Sequence, residues 1–288
     1  MFLTSRKEKL IKMIYVTKFD GSKQPFDKQK VIRTCLKMNA SEEQARAVAD
    51  TIESKIYNGI STKKILQMIF TYLKKYRPEV RHRIDLREAI SLLRSKPDFE
   101  QFVALLLREH GYGVITNQII PGKCVEHEID AIARKNDEVI YVEVKHHLQH
   151  HTFSGIGVFL EARATLEDLQ EGFQKGKNSF DFSKALVVCN TKISDHAMQY
   201  AFCRDIEYIS WNYPSERCLS KMIEGKKLYP ITLLKDLDEK TEQMLGDNNI
   251  LLLRQLTEAD ADELIHKIKI PKQKIKLLQE KARELLQS

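Results

Sequence analysis

Four tripeptides in this chain place a carboxylate two residues before a lysine: Glu53 to Lys55, Glu143 to Lys145, Glu224 to Lys226 and Asp238 to Lys240. Such a pair does joint chemistry only where the backbone holds both side chains on one side, and a β-strand does this at a spacing of two. Only Glu143-Val144-Lys145 ends a strand-like run, VIYVEVK, in which Ile140, Val142 and Val144 point one way and Tyr141, Glu143 and Lys145 the other. Opposite charges beside a sheet core cost free energy unless they are paired or bind something. In the preceding strand candidate, EHEIDAIA, Ile129, Ala131 and Ala133 alternate with Glu128 and Asp130, so carboxylates reach the edge where Glu143 stands. The expected product is an acidic pocket with one lysine. Two carboxylates there suit Mg2+ or Mn2+, and lysine supplies a compact charge for a water or a transition state, the requirements of phosphodiester hydrolysis.

His146, His147, His150 and His151 follow at once. Imidazoles four apart on a helix can share a zinc ion, but this segment has just left a strand and no cysteine or carboxylate completes a set. Metal binding, contact with a substrate phosphate and a solvated loop all stay open, with His146 the best placed beside Lys145.

The elements that must position these residues read as three regions. Residues 14–26 form two short strands joined at Asp20-Gly21; Asp27 caps a helix, Ser41 with Gln44 forms a capping box, Ser61 or Thr62 caps a third helix, and a fourth runs from after Pro78 to about Arg94. Asp98 is placed to cap DFEQFVALLLREHG, which is followed by strands at residues 113–120, 126–133 and 138–145. A helix at 158–175, a strand at 184–189, a helix at 194–204 and a strand at 206–211 complete an α/β alternation. After Pro214 the pattern is mainly short helices. The expected domains are residues 14–96, 97–220 and 221–288.

Charge divides along the same cuts: residues 1–96 hold 22 basic and 10 acidic groups, residues 97–220 hold 12 and 18, and residues 221–288 hold 13 and 12. The outer regions attract polyanions, whereas the acidic middle needs a cation before it meets phosphate. With 42% hydrophobic residues, no apolar run near membrane-spanning length and no secretory pattern in MFLTSRKEKLIKM, the expectation is a cytoplasmic protein without a membrane partner. Five scattered cysteines without a CxxC pair argue against a disulfide framework. There is no GxxxxGK phosphate loop.

Residues 16–33, VTKFDGSKQPFDKQKVIR, with 58–65, NGISTKKI, resemble the ATP-cone domain, a regulatory nucleotide-binding module. The resemblance implies that Val16, Val31 and Ile65 line a base pocket, that Thr62 sits near the base, and that Lys18, Lys30 and Arg33 face phosphates of ATP or dATP, an allosteric effector. Helix FEQFVALLLREHGY, then Glu128-Ile129-Asp130, then Glu143-Val144-Lys145 resemble the PD-(D/E)xK nucleases, closest to the Mrr-like restriction endonucleases, with Ile129 where a proline can stand. That likeness makes Asp130 and Glu143 metal ligands, Lys145 catalytic and Glu100 a secondary acid. The tail ILLLRQLTEADADELIHKIKIPKQKIKLLQEKARELL is similar to a helix-hairpin-helix module, with a dimerising or protein-binding helix pair as the other reading. The fold expected is thus an α/β and α+β multidomain chain: a hairpin-plus-helices ATP cone, a restriction-endonuclease-like α/β core and a small helical module. The function expected is a Mg2+-dependent endonuclease acting on nucleic acid, DNA favoured over RNA, and regulated by ATP or dATP. Cutting both strands favours a homodimer or higher oligomer. The alternative is a nucleotide-responsive nucleic-acid-binding protein with an inactive core.

Overall fold

The structure is a computed structural model that describes residues 13–287 apart from 39, 79, 81 and 82; the start read above for targeting signals, residues 1–12, lies outside the described residues. The chain divides into two compact units, one through residue 81 and one over 82–287.

In the first unit, strands β1 (Tyr15–Thr17) and β2 (Lys23–Pro25) form the expected antiparallel hairpin, followed by helices α1 (Lys28–Lys37), α2 (Glu42–Glu53) and α3 (Thr62–Leu73). Their starts follow from capping chemistry. Asp27 accepts from Gln29 N at 2.9 Å, Ser41 and Gln44 make a reciprocal capping box, and Ser61 accepts from Lys64 N at 3.1 Å. The segment before α3 adds to the hairpin: Thr17 N donates to Ile60 O and Gly59 N donates to Tyr15 O. Val16, Val31, Cys35, Ile52, Ile60, Ile69 and Leu73 are buried together as this unit's core.

The second unit begins with α4 (Leu86–Leu92), the expected fourth helix. Its Leu86, Ala89 and Ile90 are buried among residues of the second unit, so the fold divides earlier than the cut at 96 drawn from sequence. A kinked turn over Ser95–Phe99 leads into α5 (Glu100–Glu109). Asp98 makes no helix cap, contrary to expectation. It is fully buried and gripped by Arg94 through two hydrogen bonds of 2.7 and 2.8 Å. Strands β3 (Gly113–Pro121), β4 (Glu126–Lys135) and β5 (Glu138–Lys145) make an antiparallel meander. Then come β6 (Phe153–Ser154), α6 (Ile156–Gln174), β7 (Phe182–Cys189), β8 (Lys192–Ile193), α7 (Asp195–Cys203) and β9 (Glu207–Ile209). The main sheet has the order β3-β4-β5-β7-β9, with β5, β7 and β9 parallel.

Apolar alternation assigns the faces of this sheet. Ile132, Tyr141, Ala185 and Val187 pack with α6 and α7, whereas Ile140, Val142, Val144, Leu186 and Val188 face α4 and α5. The C-terminal helices α8 (Leu219–Gly225), α9 (Glu239–Asp247), α10 (Leu253–Glu258), α11 (Ala261–Ile268) and α12 (Lys272–Gln287) join that second face. Their Leu253, Leu256, Leu264, Ile275, Leu278 and Leu285 belong to the same continuous core as Val142 and Leu186. The expected C-terminal helical module is present, and it shares its core with the sheet. The lysines of this tail meet acids in space: Lys267 pairs with Glu263 at 2.6 Å, Lys272 with Asp262 and Lys274 with Asp238.

Helix α9 closes over the buried Asp98. Arg94 reaches Asp247 at 2.7 Å, and Gly246 lies so near Arg94 and Asp98 that an added Cβ would stand 2.9 Å from each. Beside them Glu242 is buried with one oxygen lacking a partner. Burial, then the neighbouring Asp98 charge, push its carboxyl from 4.5 up to about 7. The folded chain therefore holds this proton more tightly than the unfolded chain does. The stabilisation is complete below about pH 4.5 and disappears as pH rises through about 7. Thermal melts should show Glu242→Gln more stable than wild type at pH 8 and indistinguishable from it near pH 4.5; a variant less stable at pH 8 would contradict this account.

Candidate functional site

The site opens where two strands part. Strands β4 and β5 pair through Ala131↔Val142, and there the backbone ladder stops. Asp130 takes over: its Oδ2 accepts from Val144 N at 2.8 Å, so a carboxylate replaces a carbonyl as the partner of a strand N–H. On the other side, Asn117 of β3 is left-handed at φ 54°, and the β3–β4 register passes over Asn117 and Asp130. Ile129 and Ala131 consequently fall in different cores, where uniform alternation predicts one face. Strand β5 continues against β7 after losing β4, pairing Glu143 with Val187 and Lys145 with Cys189.

Around this parting stand Glu100 from the first turn of α5, Asp130 from β4, and Glu143 and Lys145 from β5. The structure brings these four expected residues together. Asp130 and Glu100 are buried, at 8% and 5% exposure. A residue that sequence reading passed over joins them: Lys96, whose Nζ lies 3.0 Å from Glu100, 3.1 Å from Glu128 and 3.4 Å from Asp130. Lys96 stands in the kinked turn between α4 and α5, from which it reaches the strands. Burial works against its charge, but the hydrogen bonds to Glu100 and Glu128 outweigh it and hold Lys96 more firmly protonated than usual.

The carboxylates still outnumber the ammonium groups. Desolvation pushes Glu100 and Glu143 above the usual carboxylate range, with the Asp130 charge adding to both. Tyr141 donates a short hydrogen bond to Glu143 and opposes part of that rise, and Glu161 of α6 adds a further negative charge. Among the described residues no three or more His, Cys, Asp and Glu form a ready-made metal cage. Mg2+ does not need one, since it keeps waters and takes one or two carboxylates with substrate oxygens. Crowded, desolvated Asp130 and Glu143 fit that demand.

Three of the four histidines are docked against neighbouring groups. His146 donates from Nε2 to Ile90 O at 3.1 Å, so its neutral ring accepts at Nδ1 from Ser95 Oγ, 2.9 Å away. Both ring nitrogens are thus engaged in structure, and burial lowers its pKa. This makes the histidine nearest Lys145 a support of its loop. His147 is held through its backbone, which donates to Asn190 Oδ1 at 2.9 Å, and its ring meets Ser154. His150 Nδ1 lies 3.1 Å from Ser91 Oγ.

In the first unit, a cavity of about 230 Å3 is lined by Val16, Lys30, Val31, Thr62 and Ile65, five of the seven residues expected at a nucleotide, with Gln24, Phe26, Asp27, Thr34, Leu66 and Ile69. Lys18 and Arg33 are outside this lining. Lys18 holds the hairpin turn through its backbone N–H to Ser22 O, and Arg33 lies 3.6 Å from Asp27.

Residues 14–90 match the ATP cone domain, residues 93–210 a restriction endonuclease domain of the Mrr catalytic type, and residues 229–286 the domain described as AF1548-like, C-terminal. An uncharacterized protein of Archaeoglobus fulgidus is 30% identical over 184 residues, which are 64% of this chain and 95% of that one. The crystal structure described as that of protein of unknown function AF1548 superposes with a TM-score of 0.57 at 29% identity, covering 66% of this chain and 97% of the other. The chain belongs to the AF1548-like family, with an ATP cone placed ahead of an Mrr-type restriction endonuclease domain.

Proposed function

We propose that this protein is a metal-dependent endonuclease that hydrolyses phosphodiester bonds in nucleic acid, DNA in preference to RNA, under control of ATP or dATP bound in the first unit. The observation that carries the reading is the gathering of Asp130, Glu143, Lys145 and Glu100 where β4 leaves β5. Asp130 and Glu143 would hold Mg2+ or Mn2+, which when bound polarises the phosphodiester and lowers the pKa of a water. Lys145, at the last paired position of β5, presents a cation on the Glu143 side to the attacking water or the phosphorane oxygens. Glu100 strengthens the negative field, and Tyr141 orients Glu143. In the first unit, Val16, Val31 and Ile65 supply apolar contact for a base, Thr62 a hydroxyl beside it, and Lys30 a cation for phosphate. Lys18 and Arg33 would join at the outer phosphates.

A nucleotide-responsive binding protein with an inactive core is the contrasting reading, favoured by Lys96 standing among the carboxylates that would take the metal. Cleavage separates the two. With Mg2+ or Mn2+ the purified chain should nick or cut DNA, and Asp130→Ala and Lys145→Ala should each lower the rate by about 100-fold or more; equal cutting by all three would mark a contaminant. Lys96 competes with the divalent ion for the same oxygens, so calorimetry should find Mg2+ bound about tenfold more tightly by Lys96→Met, a fraction of the roughly 4 kcal/mol a unit charge carries at 4 Å near a protein surface. Unchanged or weaker binding would remove Lys96 from that role. Labelled ATP should bind the full-length chain and bind Lys30→Ala at least about tenfold more weakly; no binding at millimolar nucleotide would sink the regulatory assignment.

A further inference from the structure

Strands β5 and β7 run parallel and pair as far as Lys145↔Cys189. The pairing resumes between β6 and β8, through Phe153↔Lys192 and Ser154↔Ile193. Between the two ladders one side carries residues 146–152, with all four neighbouring histidines, and the other only residues 190 and 191. An excursion of this kind leaves backbone donors and acceptors to be matched at its base, and here the base lies just beyond Lys145.

Asn190 closes that base. Its side chain is fully buried; Oδ1 accepts from His147 N at 2.9 Å, and Nδ2 donates to His147 O at 2.8 Å. One amide thus satisfies both backbone groups of one residue, the two bonds that a neighbouring strand would otherwise make. The residue type follows from the task, since a carboxamide carries a donor and an acceptor side by side, whereas a carboxylate has no donor. The His147 ring is tied to the same side: Ser154 Oγ lies 3.2 Å from its Nε2 and 2.7 Å from Thr191 Oγ1. Trp211 N donates to Thr191 O at 3.0 Å, which anchors the Asn190 segment to the chain leaving β9. On the opposite edge of β5, Asp130 Oδ2 accepts from Val144 N at 2.8 Å. Lys145 therefore stands between Val144 and His147, whose backbones are pinned by side chains from either side. Burial, then the Lys145 charge, lower the His147 pKa, so the ring beside the lysine is neutral.

We propose that Asn190 is a positioning residue for Lys145: by standing in for strand pairing at His147, it fixes the backbone from which the lysine reaches the scissile phosphate. The role of Lys145 itself rests on the nuclease reading above. The test uses the full-length chain. Asn190→Ala should lower kcat for Mg2+-dependent DNA cleavage about 30-fold and leave KM within about twofold, because misplacing a reacting group by about 1 Å costs up to about 100-fold while substrate contacts stay as they were. Added to Lys145→Ala, the same change should cost less than about twofold, since nothing is left to position. Asn190→Ser, which keeps one bonding group, should fall between and is read in the same way if Asn190→Ala does not fold. A second readout needs neither metal nor cleavage. With the lysines methylated by a carbon-13 label, the Lys145 resonance, assigned by its absence in Lys145→Ala, should move toward its unfolded-chain position when Asn190 is replaced, while that of Lys96 stays in place. An unchanged kcat, an equal loss in the Lys145→Ala background, or an unmoved Lys145 resonance would overturn the proposal. Absent cleavage by the wild-type chain removes the nuclease reading by itself, and the resonance then decides whether Asn190 holds Lys145.

Discussion

The arrangement depends on one substitution of hydrogen-bond acceptors. At the end of the β4–β5 ladder the Val144 N–H is satisfied by a side chain, Asp130, instead of a backbone carbonyl. That bond allows the strands to part while leaving the Val144 donor satisfied. The gap admits Glu100 and Lys96 from the α5 side, while Tyr141 and Glu143 face α6. The carboxylate that makes the pocket possible is also one of those that give it charge.

Charge then sets what the pocket can hold. Acidic groups from a helix start and two strands are concentrated in a partly desolvated place, and neither Lys96 nor Lys145 restores neutrality. A compact divalent cation has the charge density to do so.

Much of this was legible in sequence, because period-two patterning, capping residues and an Asp-Gly turn are local signals. The hairpin, the Ser41 capping box, the meander and the reach of Glu143 and Asp130 toward one edge follow from neighbours in the chain. What escaped were consequences of distant contact. Lys96 gains meaning from strands more than thirty residues away. Asp98 became a buried partner of Arg94, with α9 covering it. The setting of His146 and His150 stayed open in sequence because the hydroxyls that meet them, Ser95 and Ser91, precede them by fifty residues or more.

The core that runs from Val142 through Leu256 to Leu285 also fixes how the chain comes apart. The segments matched separately as a restriction endonuclease domain and an AF1548-like C-terminal domain bury the same apolar surface, so neither has an interior to fall back on without the other. They form one cooperative unit, while the ATP cone has a core of its own. The C-terminal helices are part of this unit's interior, and a deletion there reports on folding before it reports on any ligand.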